Sequence, residues 1–123
     1  MTRSELDVLI VEDEVFARNA LAALLAGSGY ATRAVGSAEL ALERLELGDR
    51  PEIALVDLDL PGMSGAELIG LLAVRQPGVF AVLITAASPE RVEPLCAAGI
   101  RHLRKPLDYK ELLKVLDSRS RSH

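Results

Sequence analysis

Two short apolar runs end in carboxylates, a third ends in a hydroxyl, and a fourth leads to an ammonium. Val8-Leu9-Ile10-Val11 is followed by Glu12-Asp13-Glu14, and Ile53-Ala54-Leu55-Val56 by Asp57, with Asp59 two positions on. Val79-Phe80-Ala81-Val82-Leu83-Ile84 ends at Thr85, and Ile100-Arg101-His102-Leu103 leads to Lys105-Pro106. Carboxylates held close repel one another, and each raises the pKa of its neighbours. A hard divalent cation relieves that repulsion, and an oxygen-only donor set without His or Cys points to Mg²⁺. A metal, a carboxylate, a hydroxyl and a lysine together suit phosphoryl transfer, which needs a nucleophile, charge neutralisation and positioning. Asp57 supplies the nucleophilic oxygen. Lys105 offers a point charge to one phosphoryl oxygen, and Thr85 a donor to another. Taken singly, Asp13, Glu14 or Ser88 does no more than cap a helix, and Glu14 reads as a first-turn acid rather than a ligand. No Gly-rich loop follows the first run, and an acidic loop there repels a nucleotide or flavin phosphate.

These residues converge only if the runs lie side by side. The first, third and fourth of five runs are nearly unbroken apolar, the pattern of strands buried on both faces of a parallel sheet. Tyr30-Ala31-Thr32-Arg33-Ala34-Val35 and the run at 100–103 are mixed and fit outer strands. Helical patterns separate them. Phe16, Ala20, Leu21, Leu24 and Leu25 share a face of a helix of about 13 residues closed by Gly27 or Gly29. Ser37 caps a second helix that carries Ala38, Ala41, Leu42 and Leu45. Ser64-Gly65-Ala66-Glu67 is a capping box ahead of Leu68, Leu71 and Leu72, and Asp108-Tyr109-Lys110-Glu111 is another ahead of Leu112, Leu113, Val115 and Leu116. Ser88-Pro89 opens a helix that Pro94 interrupts, so this one is expected to be short, kinked or late-starting. Five βα units imply an α/β fold, a doubly wound five-stranded parallel sheet with helices on both faces. Ligands bind such sheets beyond the carboxyl ends of the strands, where the polar residues fall.

A chain of 123 residues, half of them apolar, suits one globular domain with a working core. The expected core is about 6–117, with 118–123 as a polar tail. The single cysteine, Cys96, excludes an internal disulfide framework and a multi-cysteine zinc site, and reads as inert packing. No apolar run approaches the roughly 18 residues of a membrane span, and the N-terminus is too polar for a signal peptide, so a cytoplasmic setting without membrane contact is expected. Net charge of -4 argues against direct nucleic-acid binding. The balance is uneven: residues 1–59 hold 12 acids and 5 bases, and 101–123 hold 7 bases and 3 acids, so the chain is electrically polar along its length.

At this point the sequence resembles the receiver domain of two-component response regulators, from Val8 to about Leu116. Glu12-Asp13 looks like the family's acidic pair. Leu55-Val56-Asp57-Leu58-Asp59-Leu60-Pro61-Gly62-Met63-Ser64-Gly65 looks like its phosphoacceptor segment. Leu83-Ile84-Thr85-Ala86 resembles its fourth strand, and Arg104-Lys105-Pro106 its Lys-Pro, where the family usually has a cis peptide. The resemblance implies a (βα)5 flavodoxin-like fold with strand order 2-1-3-4-5. It implies that Asp57 accepts a phosphoryl group from a phosphohistidine on a histidine kinase or histidine phosphotransfer domain. Asp13 and Asp57 would ligate Mg²⁺ (Mn²⁺ can substitute), Glu12 partly through water, and the Asp59 backbone carbonyl would add a ligand. Thr85 and Lys105 would contact the phosphoryl oxygens. The domain would be no enzyme beyond its own phosphorylation and dephosphorylation. It would act as a monomer or weak phosphorylation-dependent dimer on an unnamed downstream protein.

Two departures stand out. Glu12 replaces the commoner Asp. His102 occupies the place of the usual aromatic switch residue, so a switch role and a plain half-exposed edge-strand role stand level, and any charge there would be pH-sensitive. The family's signalling face, spanning the helix near 88–98, the strand near 100–103 and the helix near 108–117, carries Arg101, Arg104, Lys110 and Lys114. A solvated face is the plain alternative to a partner surface. No output domain is expected within these residues; a stand-alone regulator and a module of a longer chain both fit. A haloacid-dehalogenase-type phosphatase also uses Asp-x-Asp with a Thr and a Lys. There the Asp-x-Asp strand comes first, whereas here Glu12-Asp13 precede it. A binding-only pseudo-receiver is the other alternative, and the intact Asp13, Asp57, Thr85 and Lys105 set speaks against it.

Overall fold

A computed structural model describes residues 6–120. In chain order the elements are β1 (Val8–Val11), α1 (Val15–Gly27), β2 (Thr32–Val35), α2 (Ala38–Glu46), β3 (Ile53–Asp57), α3 (Gly65–Arg75), β4 (Phe80–Thr85), α4 (Pro89–Ala97), β5 (Arg101–Arg104) and α5 (Tyr109–Ser120). The strands form one parallel sheet in the order β2-β1-β3-β4-β5. The two mixed runs are the two edges, as their composition implies. Every residue of β1 and β3 is buried, as expected of central strands covered on both faces.

The period-2 alternation divides the strands between two cores. Leu9, Val11, Ala54, Val56 and Leu83 pack with Ala38, Ala41 and Leu45 of α2, with Leu68 and Leu72 of α3, and with Val92 of α4. Val8, Ile10, Ile53, Leu55, Val82 and Ile84 pack on the other side with Leu21 and Leu25 of α1 and with Leu112 and Leu116 of α5. Each Val, Leu or Ile among them contributes on the order of 1.5–3 kcal/mol when fully buried, so the sheet is a rigid platform for whatever its loops carry. The α1 stripe is narrower than its spacing implies. Leu21 and Leu25 are buried, but Phe16 is 83% exposed and Leu24 48%. Phe16, Ala20 and Leu24 form the adjacent i,i+4 row, which the helix turns toward solvent.

The caps set where the loops begin and end. Glu14 takes the Ala17 amide as N-cap of α1, Ser37 takes that of Leu40 for α2, and Ser64 with Glu67 forms the reciprocal capping box of α3. The Asp108 carboxylate accepts from the amides of Lys110 and Glu111 at the start of α5. α4 has nine residues and continues through Pro94, whose missing amide leaves the Glu90 carbonyl without its helical donor. α5 runs to Ser120, so the first half of the expected polar tail is helical; residues 121–123 lie outside the described residues. No helix among the described residues is long and apolar enough to cross a membrane.

Gly65 ties α3 to the end of β3. Its amide donates to the Leu58 carbonyl at 2.9 Å, and a Cβ at this position would lie 2.1 Å from the Asp57 carbonyl oxygen and 2.9 Å from Leu58 Cα. Those atoms are backbone and cannot swing aside. Gly65→Ala is therefore expected to destabilise the protein by roughly 1–3 kcal/mol in chemical denaturation, as overpacking does; an unchanged midpoint would show that the close approach is not enforced.

Candidate functional site

The carboxyl ends of β1, β3, β4 and β5 share one edge of the sheet, and the loops leaving them carry the site. Glu12 and Asp13 follow β1, and Asp57 closes β3. One carboxylate oxygen from each of these three lies within 4.8 Å of the others. Glu12 and Asp57 are buried, whereas Asp13 is exposed. Lys105, just past β5, reaches in with Nζ 3.1 Å from Glu12 Oε1 and 3.5 Å from Asp57 Oδ2. The bond between Lys105 and Pro106 is cis.

Hydrogen bonds fix the two buried acids differently. Glu12 Oε2 accepts the Glu14 amide at 3.1 Å, while Asp57 Oδ1 accepts that of Asp59 at 3.3 Å. Burial works against ionisation of Glu12, but the Glu14 amide and the Lys105 ammonium outweigh it and hold this carboxyl below its usual range. Asp57 goes the other way. Burial, then the Glu12 charge, push its carboxyl up to about 6, against the pull of Lys105 and the Asp59 amide. Burial also opposes the charge on Lys105, but hydrogen bonding to Glu12 and the charge of Asp57 keep the ammonium above its ordinary range. One lysine thus faces two buried carboxylates and a third at the rim, a surplus of negative charge. An all-oxygen donor set converging within 4.8 Å fits a hard divalent cation.

Thr85 ends β4 and is 1% exposed; its hydroxyl oxygen accepts the Ala87 amide at 2.8 Å. The same loop is held from β5, because Arg104 Nη1 donates to the Ala87 carbonyl at 3.1 Å. The Asp59 side chain pairs with Arg91 of α4, with Nη2 to Oδ1 at 2.7 Å and Nη1 to Oδ2 at 3.4 Å. Both partners are more than half exposed, so this fork joins the β3–α3 loop to α4 while contributing little to stability. His102 lies half-buried on β5, with Nδ1 3.1 Å from Cys96 Sγ of α4, which links these two elements. Arg101, Arg104, Lys110 and Lys114 are all exposed, and Arg101 stacks 4.2 Å over the Phe80 ring. Arg18 and Arg91 carry no motif signal. Arginine on the polar face of a helix is ordinary, and their partners become apparent only when the loops close.

With the fold and the site in place, comparison with known proteins settles the class. The chain matches the model of the response regulator receiver domain over residues 8–117. It is 36% identical over 107 residues to the two-component response regulator PhoP of Pseudomonas aeruginosa, covering 85% of this chain and 47% of that one. Among solved structures, the CheY-like receiver domain protein of Methanospirillum hungatei superposes with a TM-score of 0.83 at 26% identity, covering 96% of this chain and 99% of that one. The response regulator TrrA of Thermotoga maritima, solved in complex with Mg(2+)-BeF, gives a TM-score of 0.81 at 25% identity, covering 93% and 98%. This chain belongs to the receiver domains of two-component response regulators, a family of signalling domains. Membership takes precedence over the haloacid-dehalogenase-type alternative. The chain spans half or less of the length of the first curated relatives it matches.

The raised pKa of Asp57 makes a stability prediction. A carboxyl whose folded pKa exceeds its unfolded value favours the folded state in full below the unfolded pKa, and that advantage is lost progressively as pH rises through about 6. Without divalent cation, Asp57→Asn is therefore expected to be more stable than wild type by about 3 kcal/mol at pH 8, with most of the gain gone near pH 4. Denaturant unfolding in chelator at both pH values checks this; a loss of stability at pH 8 would contradict the strained carboxylate.

Proposed function

We propose that this domain accepts a phosphoryl group on Asp57 from a phosphohistidine of a histidine kinase or phosphotransfer protein. The observation that carries the proposal is the placement of Asp57. It is a buried carboxylate at a strand end, 3.5 Å from the Lys105 ammonium and inside the acidic cluster with Glu12 and Asp13. With a pKa near 6 the carboxyl is ionised at neutral pH, yet more basic and less solvated than an ordinary aspartate. An Asp57 oxygen attacks phosphorus, the bond from phosphorus to the imidazole nitrogen breaks, and the electron pair leaves with the imidazole. Lys105 neutralises charge on a phosphoryl oxygen. Glu12, Asp13, Asp57 and the Asp59 backbone carbonyl would hold a Mg²⁺ ion, with Mn²⁺ able to replace it. When bound, that ion supplies charge neutralisation for phosphoryl oxygens and relieves the repulsion among the carboxylates. The magnesium and beryllofluoride named for the Thermotoga relative support the same assignment.

The response reads out through Thr85. Its hydroxyl oxygen is engaged with the Ala87 amide, so turning it toward a phosphoryl group disturbs the β4–α4 loop and, through it, α4. We assign the output to the α4, β5 and α5 face, where the exposed basic residues and the contact between His102 and Cys96 lie. A change of shape there alters binding of a downstream protein. The domain then catalyses only its own phosphorylation and dephosphorylation.

Intact-mass spectrometry after incubation with Mg²⁺ and phosphoramidate tests the acceptor. One phosphoryl group is expected on wild type and none on Asp57→Asn. Equal labelling of both would overturn the assignment, and no labelling of a wild type that binds Mg²⁺ would favour a binding-only pseudo-receiver. Lys105→Ala is expected to remain labelled, at a lower rate, while the phosphorylation-dependent changes in its amide NMR spectrum disappear. Full wild-type spectral changes in that variant would remove Lys105 from the switch.

A further inference from the structure

Arg18 lies in the opening turn of α1, outside the acidic cluster, yet its side chain returns to the loop that carries two of the acids. Its Nη1 donates to the Glu12 carbonyl at 2.9 Å and to the Asp13 carbonyl at 3.4 Å. The rest of the Glu12 backbone is also held, since its amide donates to the Val35 carbonyl at 3.1 Å. The guanidinium sits against Gly36, just beyond β2. A Cβ at position 36 would lie 2.9 Å from that same Nη1 and 3.7 Å from Cζ. Gly36 is not among the glycines with positive φ, so its backbone conformation does not require glycine. A side chain at this position is opposed by the arginine.

We propose that Arg18, seated in the notch left by Gly36, is a positioning residue of the divalent-cation site: its guanidinium clamps the Glu12 and Asp13 carbonyls and thereby fixes the two side chains that face the cation. The inference rests on the cation role proposed above for Glu12 and Asp13. Electrostatics alone predicts the opposite effect, because a nearby guanidinium repels a divalent cation and its removal strengthens binding. Lysine keeps the charge, but its ammonium ends one bond short of the position of Nη1, so it does not reproduce the clamp. Partners that orient a metal's ligands without touching the metal are typically worth ten- to a hundredfold in affinity.

The test is the Mg²⁺ dissociation constant, read from amide NMR shifts during titration with MgCl₂ alone, for wild type, Arg18→Gln, Arg18→Lys, Gly36→Ala and the Arg18→Gln/Gly36→Ala double variant. Gly36→Ala is the most direct probe. It keeps every charge and every candidate ligand, and only the movable end of Arg18 must yield to the new Cβ. Each single variant is expected to weaken Mg²⁺ binding roughly tenfold, and the double variant no more than either change alone, because both remove one clamp. Tighter binding in Arg18→Gln with wild-type binding in Arg18→Lys would show a purely electrostatic role and overturn the proposal. A lowered melting temperature in chelator with unchanged Mg²⁺ affinity would show a merely structural role and overturn it too. A wild type that does not bind Mg²⁺ would remove the cation site itself, whereas a binding wild type with unaffected variants removes only the role of Arg18.

Discussion

Three carboxylates within 4.8 Å of one another, two of them buried, form an arrangement that a protein does not adopt for stability. One lysine compensates part of the charge, and it divides its attention: Nζ is closer to Glu12 than to Asp57. The consequence is a split. Glu12 keeps its charge easily, and Asp57 becomes the group that gives way, with its pKa pushed up to about 6. The most strained acid of the cluster is thus also the proposed acceptor. A cation and a phosphoryl group are the two additions that would relieve the cluster, one by neutralising it and the other by converting Asp57.

Such repulsion must be held by something stiffer than loops, and the sheet supplies it. β1 and β3 are paired with each other and buried along their whole length, so the residues just beyond them have little freedom to move apart. The Gly65 approach to Asp57 and the capping box at Ser64 fasten α3 directly behind β3, the strand that carries Asp57. The opposite flank is built more lightly. α4 is nine residues long, contains Pro94, and buries only Val92 fully, with Leu95 half-buried beside it, while its polar links to the site and to β5 are the exposed pair of Arg91 with Asp59 and the exposed Cys96 against half-buried His102. A rigid Asp57 side facing a lightly fastened α4 is a mechanical asymmetry that suits a signalling domain.

Much of this was legible in the sequence because different signals agreed. Continuous apolar runs marked central strands and mixed runs marked edges; Ser37 and Ser64 marked helix starts; and the polar residues of the site all stood at the last position of a strand or within two positions after it. What was not legible depends on closure in three dimensions. The apolar stripe of α1 includes Phe16 and Leu24, and only the tilt of the helix on the sheet decides that Leu21 and Leu25 face inward while Phe16 faces solvent. Asp59 read as a site residue through its backbone carbonyl, and nothing in the sequence pairs its side chain with Arg91, 32 positions away. Arg18 is similar: its partners are backbone carbonyls, which leave no trace in residue types.

The central claim is that Asp57 carries the strain of the cluster and that a cation relieves it. A carboxyl-detected NMR pH titration of specifically assigned Asp57, without and then with saturating Mg²⁺, measures that directly. Without cation the carboxyl should titrate near 6, and with Mg²⁺ its midpoint should fall well below that value. An Asp57 that titrates in the ordinary aspartate range near 4 and does not respond to Mg²⁺ would contradict the account.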